Sequence, residues 1–187
     1  LLPPPSTAGA GAYHRAFEEL GAWCGRHGVV PMVSARPVNP YMVEGAKAIA
    51  YEIAAELGGL PDLIVTPAGG GGLVGGLWKA AGELDSLSLA GRMPVLQAVQ
   101  RQAYFVPIDA LDDPGYAGDA YYRPLDGDWA WASLQAAGGT VERAEDSAIR
   151  EAQALLARDE GVFAEPHGAY AAAGLIRAAR GGAIDPE

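Results

Sequence analysis

The composition of this 187-residue chain limits the kinds of protein it can be. Half of its residues are hydrophobic, enough to bury one good core. The formal net charge of −10 makes nucleic acid and anionic membranes poor partners, so a small molecule is the expected ligand. The single cysteine, Cys24, cannot form an internal disulfide, no apolar run approaches about 18 residues, and no signal peptide is visible. These features predict a cytoplasmic protein.

Two helices and a strand are predicted in the first third of the chain. The lead-in, residues 1–12, is rich in Pro, Gly and small side chains, as linkers and cut chains are. Two later runs have apolar residues at helical spacing and end at glycines, and a short apolar run lies between them. The predicted elements are a helix at residues 13–26, a strand at residues 29–33 and a helix at residues 43–57.

The connector between this strand and the second helix, residues 34–41, is a candidate ligand-binding segment. Its two prolines hold their predecessors extended and display Ser34, Arg36 and Asn39 at the carboxyl end of the strand. Ligands of open α/β sheets bind at that edge. Plain turn chemistry at Asn39-Pro40 is the alternative interpretation.

The most informative stretch is PDLIVTPAGGGGLVGGL, residues 61–77. Its apolar run at residues 63–65 is typical of a strand buried on both faces of a parallel sheet, and with the preceding strand and helix it predicts a βαβ unit. Four consecutive glycines follow: Gly69, Gly70, Gly71 and Gly72. Residues 73–84 then have helical composition. Glycines can bring several backbone N–H groups to one ligand, and a helix N-terminus adds more donors, so the pattern predicts a phosphate-binding turn. A Gly-rich surface loop is the alternative.

Three families of phosphate-binding loop can be compared with this turn. A P-loop needs Gly-Lys-Ser/Thr at its end, and no lysine or hydroxyl residue follows Gly72 before Lys79. Residues 70–75 match G-x-G-x-x-G, but the next predicted strand offers Gln97 and Gln100 where a dinucleotide fold needs an acid for the ribose. The third family is the pyridoxal 5'-phosphate (PLP) enzymes, in which such a loop holds one phosphate monoester.

The second half of the chain continues the alternation of strands and helices. Residues 100–128 interrupt it with an irregular segment that is typical of a functional lid or an insertion, in which Tyr104, Tyr116, Tyr121 and Tyr122 either line a pocket or anchor the loop. Glu165, predicted at a strand end before the last helix, is either a polar site residue or an N-terminal dipole partner. The predicted elements are strands at residues 94–99, 140–143 and 162–164, and helices at residues 129–137, 146–158 and 169–180.

Several motifs together resemble threonine synthase and its relatives among the fold-type II PLP enzymes. They are Asn39-Pro40-Tyr41, Glu44-Gly45 with Lys47, the glycine loop, Trp78-Lys79, and Glu160-Gly161 with Glu165-Pro166. The resemblance implies an α/β fold with a parallel sheet, similar to the tryptophan synthase β chain, and PLP as cofactor. By the same resemblance, the cofactor phosphate binds backbone amides of Gly69, Gly70, Gly71, Gly72 and Leu73. A β-branched residue such as valine at Gly71 is expected to abolish that binding, because its Cβ would block the approach to the amides and disfavour positive φ.

The resemblance also implies a reaction. It is that of a lyase of threonine biosynthesis, which converts O-phosphohomoserine and water to threonine and phosphate. The alternatives are another PLP-dependent elimination or replacement enzyme, such as a dehydratase or a sulfonate-using relative, and a non-catalytic module that binds PLP or phosphate. The substrate candidates on this chain are Ser34, Asn39 and Glu165, and no metal site is expected.

The same family pattern predicts a division into domains. Residues 1–12 are expected to be a flexible lead-in, residues 13–30 a remnant of the small domain, and residues 31–187 an incomplete large domain. The Schiff-base lysine is expected upstream, because Lys47 and Lys79 match other family lysines, and the family's final strand is expected downstream. No catalytic residue is therefore expected on this chain, which alone should be inactive. A homodimer of the full-length protein is left open.

Overall fold

The computed structural model describes residues 12–101, 108–110 and 123–184. Within these ranges the chain forms helices and a small sheet, with a 3-10 turn at Ile108–Ala110. The elements in chain order are α1 (Ala12–His27), α2 (Pro40–Glu44), α3 (Lys47–Leu57), β1 (Leu63–Pro67), α4 (Gly72–Ser86), β2 (Val95–Arg101), α5 (Gly127–Ala136), β3 (Thr140–Ala144), α6 (Asp146–Asp159) and α7 (Tyr170–Arg180). Among the described residues, no helix is long and apolar enough to cross a membrane.

The sheet is parallel, with its strands in the order β1-β2-β3. Val65 of β1 lies opposite Gln97 of β2, which in turn lies opposite Thr140 of β3. Each strand is joined to the next by a segment that contains a helix, α4 for the first pair and α5 for the second. The carboxyl ends of all three strands therefore meet at one edge, as the α/β prediction requires.

Helices cover both faces of the sheet and form two clusters of buried side chains. Residues of α3, α4 and α5 pack with Leu96 and Ala98 on one face, and residues of α6 and α7 pack with Val99 on the other. Alternate residues of β2 point to opposite faces, so its apolar run is buried on both sides. The glycine loop leaves β1 at the carboxyl edge of this three-layered unit.

The predicted strand at residues 29–33 is wrong. The segment is not assigned to any strand, and Val30 and Met32 are 69% and 75% exposed. β-Branched residues favour extended backbone, but a strand also needs a partner for its ladder, and the described sheet gives this segment none. The βαβ unit predicted from this strand is therefore absent from the described residues, and the parallel pairing comes from β1, β2 and β3.

The single helix predicted at residues 43–57 is two helices, α2 and α3. At the junction, Gly45 and Ala46 donate to the carbonyls of Met42 and Val43, three residues earlier, at 3.3 and 3.0 Å. Such bonds tighten the turn while Gly45 and Ala46 stay in the right-handed region, so composition gives no warning of the break. Ala46 at this junction packs on α4, where a Cβ built on Gly76 would lie 2.8 Å from the Ala46 Cβ.

The remaining predicted helices and strands are confirmed, apart from the strand at residues 162–164. That segment has no strand assignment, and Phe163 is 95% exposed. The other predicted helices and strands have observed counterparts whose ends differ by a few residues. Most of the irregular segment at residues 100–128, with Tyr104, Tyr116, Tyr121 and Tyr122, lies outside the described residues.

Candidate functional site

The glycine loop links the carboxyl end of β1 to the N-terminus of α4. The Ala68 N–H donates to the Val99 carbonyl at 2.8 Å, which continues the β1–β2 pairing to the first residue of the loop. Gly71, with φ of 97° and ψ of −20°, precedes the helix in a conformation that side chains disfavour. The Gly75 N–H then donates to the Gly71 carbonyl at 3.1 Å and closes the first turn. This geometry turns the chain directly from strand into helix, as the sequence predicts.

The amides of the loop are available to a ligand. Among the residues that the structure describes, the N–H groups of residues 69–73 donate to no acceptor. They lie at the N-terminus of a 15-residue helix, where the positive end of the macrodipole adds to their partial charges. Such an array of unpaired donors favours an anion.

A cavity of about 390 Å³ opens onto the loop. Its floor is the loop itself, and its walls come from three other parts of the chain: α1, residues 33–46, and the residues just before α5. The wall side chains are mostly apolar, with one carboxylate among them. They include Phe17, Val33, Ser34, Ala35, Met42, Val43, Ala46, Leu73, Leu125 and Asp126. If a phosphate group binds to the amides, the rest of the molecule that carries it would lie in this cavity.

Asp126 is the wall residue most closely tied to the loop. Its own N–H donates to the Gly70 carbonyl at 2.8 Å, and its Oδ1 accepts from the Arg36 N–H at 2.9 Å. Its backbone also limits the loop, since a Cβ built on Gly71 would lie 2.6 Å from the Asp126 carbonyl oxygen. The residue therefore joins the glycine loop to the connector before α2.

Position 71 needs glycine for its positive φ, as the sequence predicts, and also for close packing, which the sequence does not predict. Its missing Cβ faces the Asp126 backbone and the Ala130 side chain, whereas a Cβ on Gly69 or Gly70 would meet nothing within 4 Å. Close packing against the start of α5, together with positive φ, requires glycine there. A side chain at this position would therefore displace the loop rather than cover its amides.

The Asp126 carboxyl group is in an unusual electrostatic environment. The side chain is 1% exposed, and burial raises the pKa of its carboxyl group, while the hydrogen bond from the Arg36 backbone acts in the opposite direction. The Arg36 guanidinium compensates only in part, because its Nε is 3.9 Å from Oδ1 and its Nη2 donates to Asp128 at 3.2 Å. The same guanidinium lies 5.1 Å from the ring centroid of Trp129.

The other predicted site residues are distributed unevenly around the loop. Ser34 lines the cavity, and its carbonyl oxygen is 3.7 Å from the position that a Cβ on Gly72 would occupy. Asn39 is buried as the N-cap of α2, where its Oδ1 accepts from the Met42 N–H at 3.3 Å and its Nδ2 donates to the Pro31 carbonyl at 2.8 Å. Glu165 is exposed ahead of α7 and accepts from the Ala169 N–H through its carbonyl at 3.1 Å. Of the three, Ser34 alone is a cavity wall among the described residues.

The two lysines of the family-like motifs belong to an ion network away from the cavity walls. Lys47 contacts carboxylate oxygens of Glu44 at 2.7 Å and of Glu83 at 3.0 Å, and Lys79 contacts Glu44 at 2.5 Å. The hydrogen bond to Glu44, then that to Glu83, raises the pKa of Lys47 well above its usual range. An ammonium held in this way is a poor nucleophile.

Sequence reasoning missed Asp126. It lies in the Pro- and Gly-rich end of the irregular segment, where an acid ahead of a helix is most simply interpreted as a cap. The available signal was the RPLDGDW run, in which two acids, at positions 126 and 128, come shortly before the helix predicted from residue 129. Nothing local, however, indicates that one of them packs on the glycine loop.

Comparison with known proteins identifies the family. A profile of the family described as "Pyridoxal-phosphate dependent enzyme" matches residues 8–187. Threonine synthase of Synechocystis sp. is 32% identical over 151 residues, and that of Mycobacterium tuberculosis is 34% identical over 145 residues. The aligned regions cover 79% and 75% of this chain but 40% of each relative. The chain therefore spans about two fifths of the length of these curated relatives.

Solved structures agree on the fold. A threonine deaminase, from the organism abbreviated T.th., matches with a TM-score of 0.54 and 23% identity, covering 76% of this chain and 54% of that one. Serine racemase of Dictyostelium discoideum matches with a TM-score of 0.60 and 17% identity, covering 88% of this chain and 51% of that one. The fold is thus that of part of a fold-type II PLP enzyme. The chain belongs to the pyridoxal-phosphate dependent enzyme family, and its cofactor is PLP.

The residues present fit the phosphate end of this cofactor. The unpaired amides of residues 69–73 provide the donors that a phosphate needs, and no side chain in the loop covers them up to Gly72. We call the backbone N–H groups of these five residues the phosphate cradle.

Proposed function

We propose that the protein containing this chain is a carbon–oxygen lyase that converts O-phosphohomoserine and water to threonine and phosphate. In this proposal, the chain supplies the phosphate cradle and much of the cofactor pocket. The observation that carries it is the set of unpaired amides at the N-terminus of α4, in a chain more than 30% identical to threonine synthases. The lyase reaction and its substrate extend beyond the family membership established above.

Each part of the pocket has a task in this proposal. The cradle holds the phosphate through hydrogen bonds from backbone donors and the α4 dipole, which fixes one end of the cofactor. Val43, Leu73 and Leu125 form apolar walls that exclude water from the space next to it. Bound PLP supplies an electron sink for the substrate, while the protein supplies orientation and electrostatics.

The substrate side of the pocket is assigned residue by residue. Ser34 is placed to meet the ligand, since it lies in the cavity wall beside Gly72. Asn39 acts through the connector that it holds, because both ends of its amide are bonded to backbone groups. Glu165 remains a substrate candidate at the start of α7. We further propose that residues 13–30 are a remnant of the small domain and that residues 31–187 are an incomplete large domain.

The test of this proposal is product formation by the full-length protein. Incubated with O-phosphohomoserine, it should release inorganic phosphate with threonine appearing in step. Ammonia or sulfite from another amino acid, with no phosphate release, would instead assign it to a dehydratase or a sulfonate-using relative. PLP binding without turnover of any amino acid would indicate the non-catalytic module.

A second measurement concerns the chain as it stands. With PLP and borohydride it should give no reduced adduct at a single lysine and no turnover, since Lys47 and Lys79 are held by carboxylates. A stable adduct at either lysine together with turnover would contradict the placement of the Schiff-base lysine outside residues 1–187.

A further inference from the structure

A buried carboxylate lies beside the phosphate cradle. A Cβ built on Gly72 would be 3.1 Å from Asp126 Oδ2, so this oxygen adjoins the residue that begins α4. The side chain is 1% exposed, and the compensating cation, Arg36, is 45% exposed and shared with Asp128. A site suited to an anion thus contains a second negative charge when Asp126 is ionised.

We propose that Asp126 links anion binding to proton uptake, so that the cradle takes a phosphate ester together with one proton that is held on the Asp126 carboxyl group. The inference rests on the proposed role of the loop as a phosphate cradle and makes Asp126 a determinant of the charge that the site accepts. No bond other than that to the proton is made or broken.

The physical argument is one of charge in a poorly solvated place. An ionised Asp126 repels a dianion bound to the neighbouring amides, and water cannot screen the repulsion where the carboxylate is buried. The neutral acid removes the repulsion, and its O–H can donate to an oxygen of the anion. Burial already raises the pKa of this carboxyl group, and a bound dianion would raise it further.

Among the residues that the structure describes, few other charges face Asp126. The connector contributes Arg36 and α5 contributes Asp128, and these are the charged side chains in the described ranges that act on it. The glycine loop and the first turns of α4 carry no titratable side chain before Lys79. The wall from α1 contributes Phe17, and Arg123 precedes Asp126 on the chain as an exposed residue. A change in anion affinity with pH can therefore be traced to Asp126 by a single substitution.

Sulfate is the suitable probe, since its charge stays constant between about pH 5 and about pH 8 while carboxyl groups with raised pKa titrate. The apo form of the full-length protein is titrated with PLP in the presence of sulfate, and the sulfate affinity is taken from this competition, so sulfate bound elsewhere does not count. The wild-type affinity should fall at least about fivefold from pH 5 to pH 8. Asp126→Asn should change less than about twofold over the same range and should bind sulfate more tightly than the wild type at pH 8.

Asp128→Asn is the matched control, because it removes an exposed carboxylate from the same arginine and leaves Asp126 in place, so the sulfate affinity should still fall between pH 5 and pH 8. Weaker sulfate binding by Asp126→Asn, with the wild-type pH dependence retained, would overturn the inference and leave Asp126 as a structural link alone. If sulfate and PLP do not compete at any pH, the loop is not a phosphate cradle, and the proposed link to proton uptake fails with it.

A measurement on the wild type keeps the inference testable if Asp126→Asn does not fold. Calorimetric titrations with sulfate in two buffers of different ionisation enthalpy report the protons taken up on binding. Net uptake of up to about one proton per sulfate is expected, and no uptake would contradict the inference.

Discussion

Replacing Gly71 with alanine should destabilise the protein far more than the same change at the neighbouring Gly70. The added methyl group at position 71 meets the Asp126 carbonyl oxygen at 2.6 Å and its carbon at 2.8 Å, both of them backbone atoms that cannot rotate away. At Gly70 the added methyl group meets nothing within 4 Å. Both variants make the same Gly-to-Ala change in the same loop, so they differ mainly in the contacts that the added methyl group makes.

The expected difference can be estimated from these contacts. A non-glycine residue at positive φ costs about 1–3 kcal/mol, and overpacking costs about 1–3 kcal/mol more. Gly71→Ala should therefore lower the free energy of unfolding by about 2–5 kcal/mol, a large part of the stability of an ordinary domain. Gly70→Ala should stay within about 1 kcal/mol of the wild type.

Urea denaturation followed by circular dichroism measures both variants, with the free energy compared at equal m-values. Equal losses in the two variants would refute the packing argument, because the steric difference between the positions would then have no energetic consequence. Loss of PLP binding by Gly71→Ala with unchanged stability would also refute it and would restore the simpler idea of a Cβ that covers the amides.

The remaining predictions concern packing and pH. Gly75→Ala should cost about 1–3 kcal/mol in urea denaturation, because its Cβ would lie 2.3 Å from the Trp129 ring, whereas Gly82→Ala on the same helix, with nothing within 4 Å, should be neutral or stabilising. A stabilising Gly75→Ala would show that α5 moves freely relative to α4. Hydrogen bonds from Arg101 lower the pKa of the Asp146 carboxyl group, so the stability that the pair contributes is present at neutral pH and lost as the pH falls through that lowered pKa. Asp146→Asn should thus be less stable than the wild type at neutral pH, and the urea midpoints of the two should begin to converge only as the pH falls below about 4.

The part of the site that the sequence predicts is the part built from neighbours on the chain. Residues 63–73 combine a short apolar strand, four glycines and a helix start, and each signal depends only on adjacent residues. The family resemblance depends in part on the same stretch. The structure keeps this order and adds the free amides that give the pattern its chemistry.

The part that the sequence could not predict depends on distant contacts. Residues 29–33 have the composition of a strand, but pairing is decided by the presence of a neighbouring strand rather than by Val29 or Val30. Gly45 lies in a helical pattern, and nothing local indicates that the hydrogen bonds there reach back three residues rather than four. Asp126 is positioned by Arg36 and Gly70, which local periodicity cannot bring together with it.

The bond between the Arg36 N–H and Asp126 joins residues 90 positions apart on the chain. Closing so long a loop carries an entropic cost that nearby contacts, such as those of the β1–α4 turn, do not have. The turn can therefore form early in folding, while the wall that completes the cavity can close only after α5 has docked on α4. A ligand that contacts both the turn and the wall binds only chains in which both have formed. The cofactor therefore stabilises the assembled pocket and does not stabilise partly folded chains.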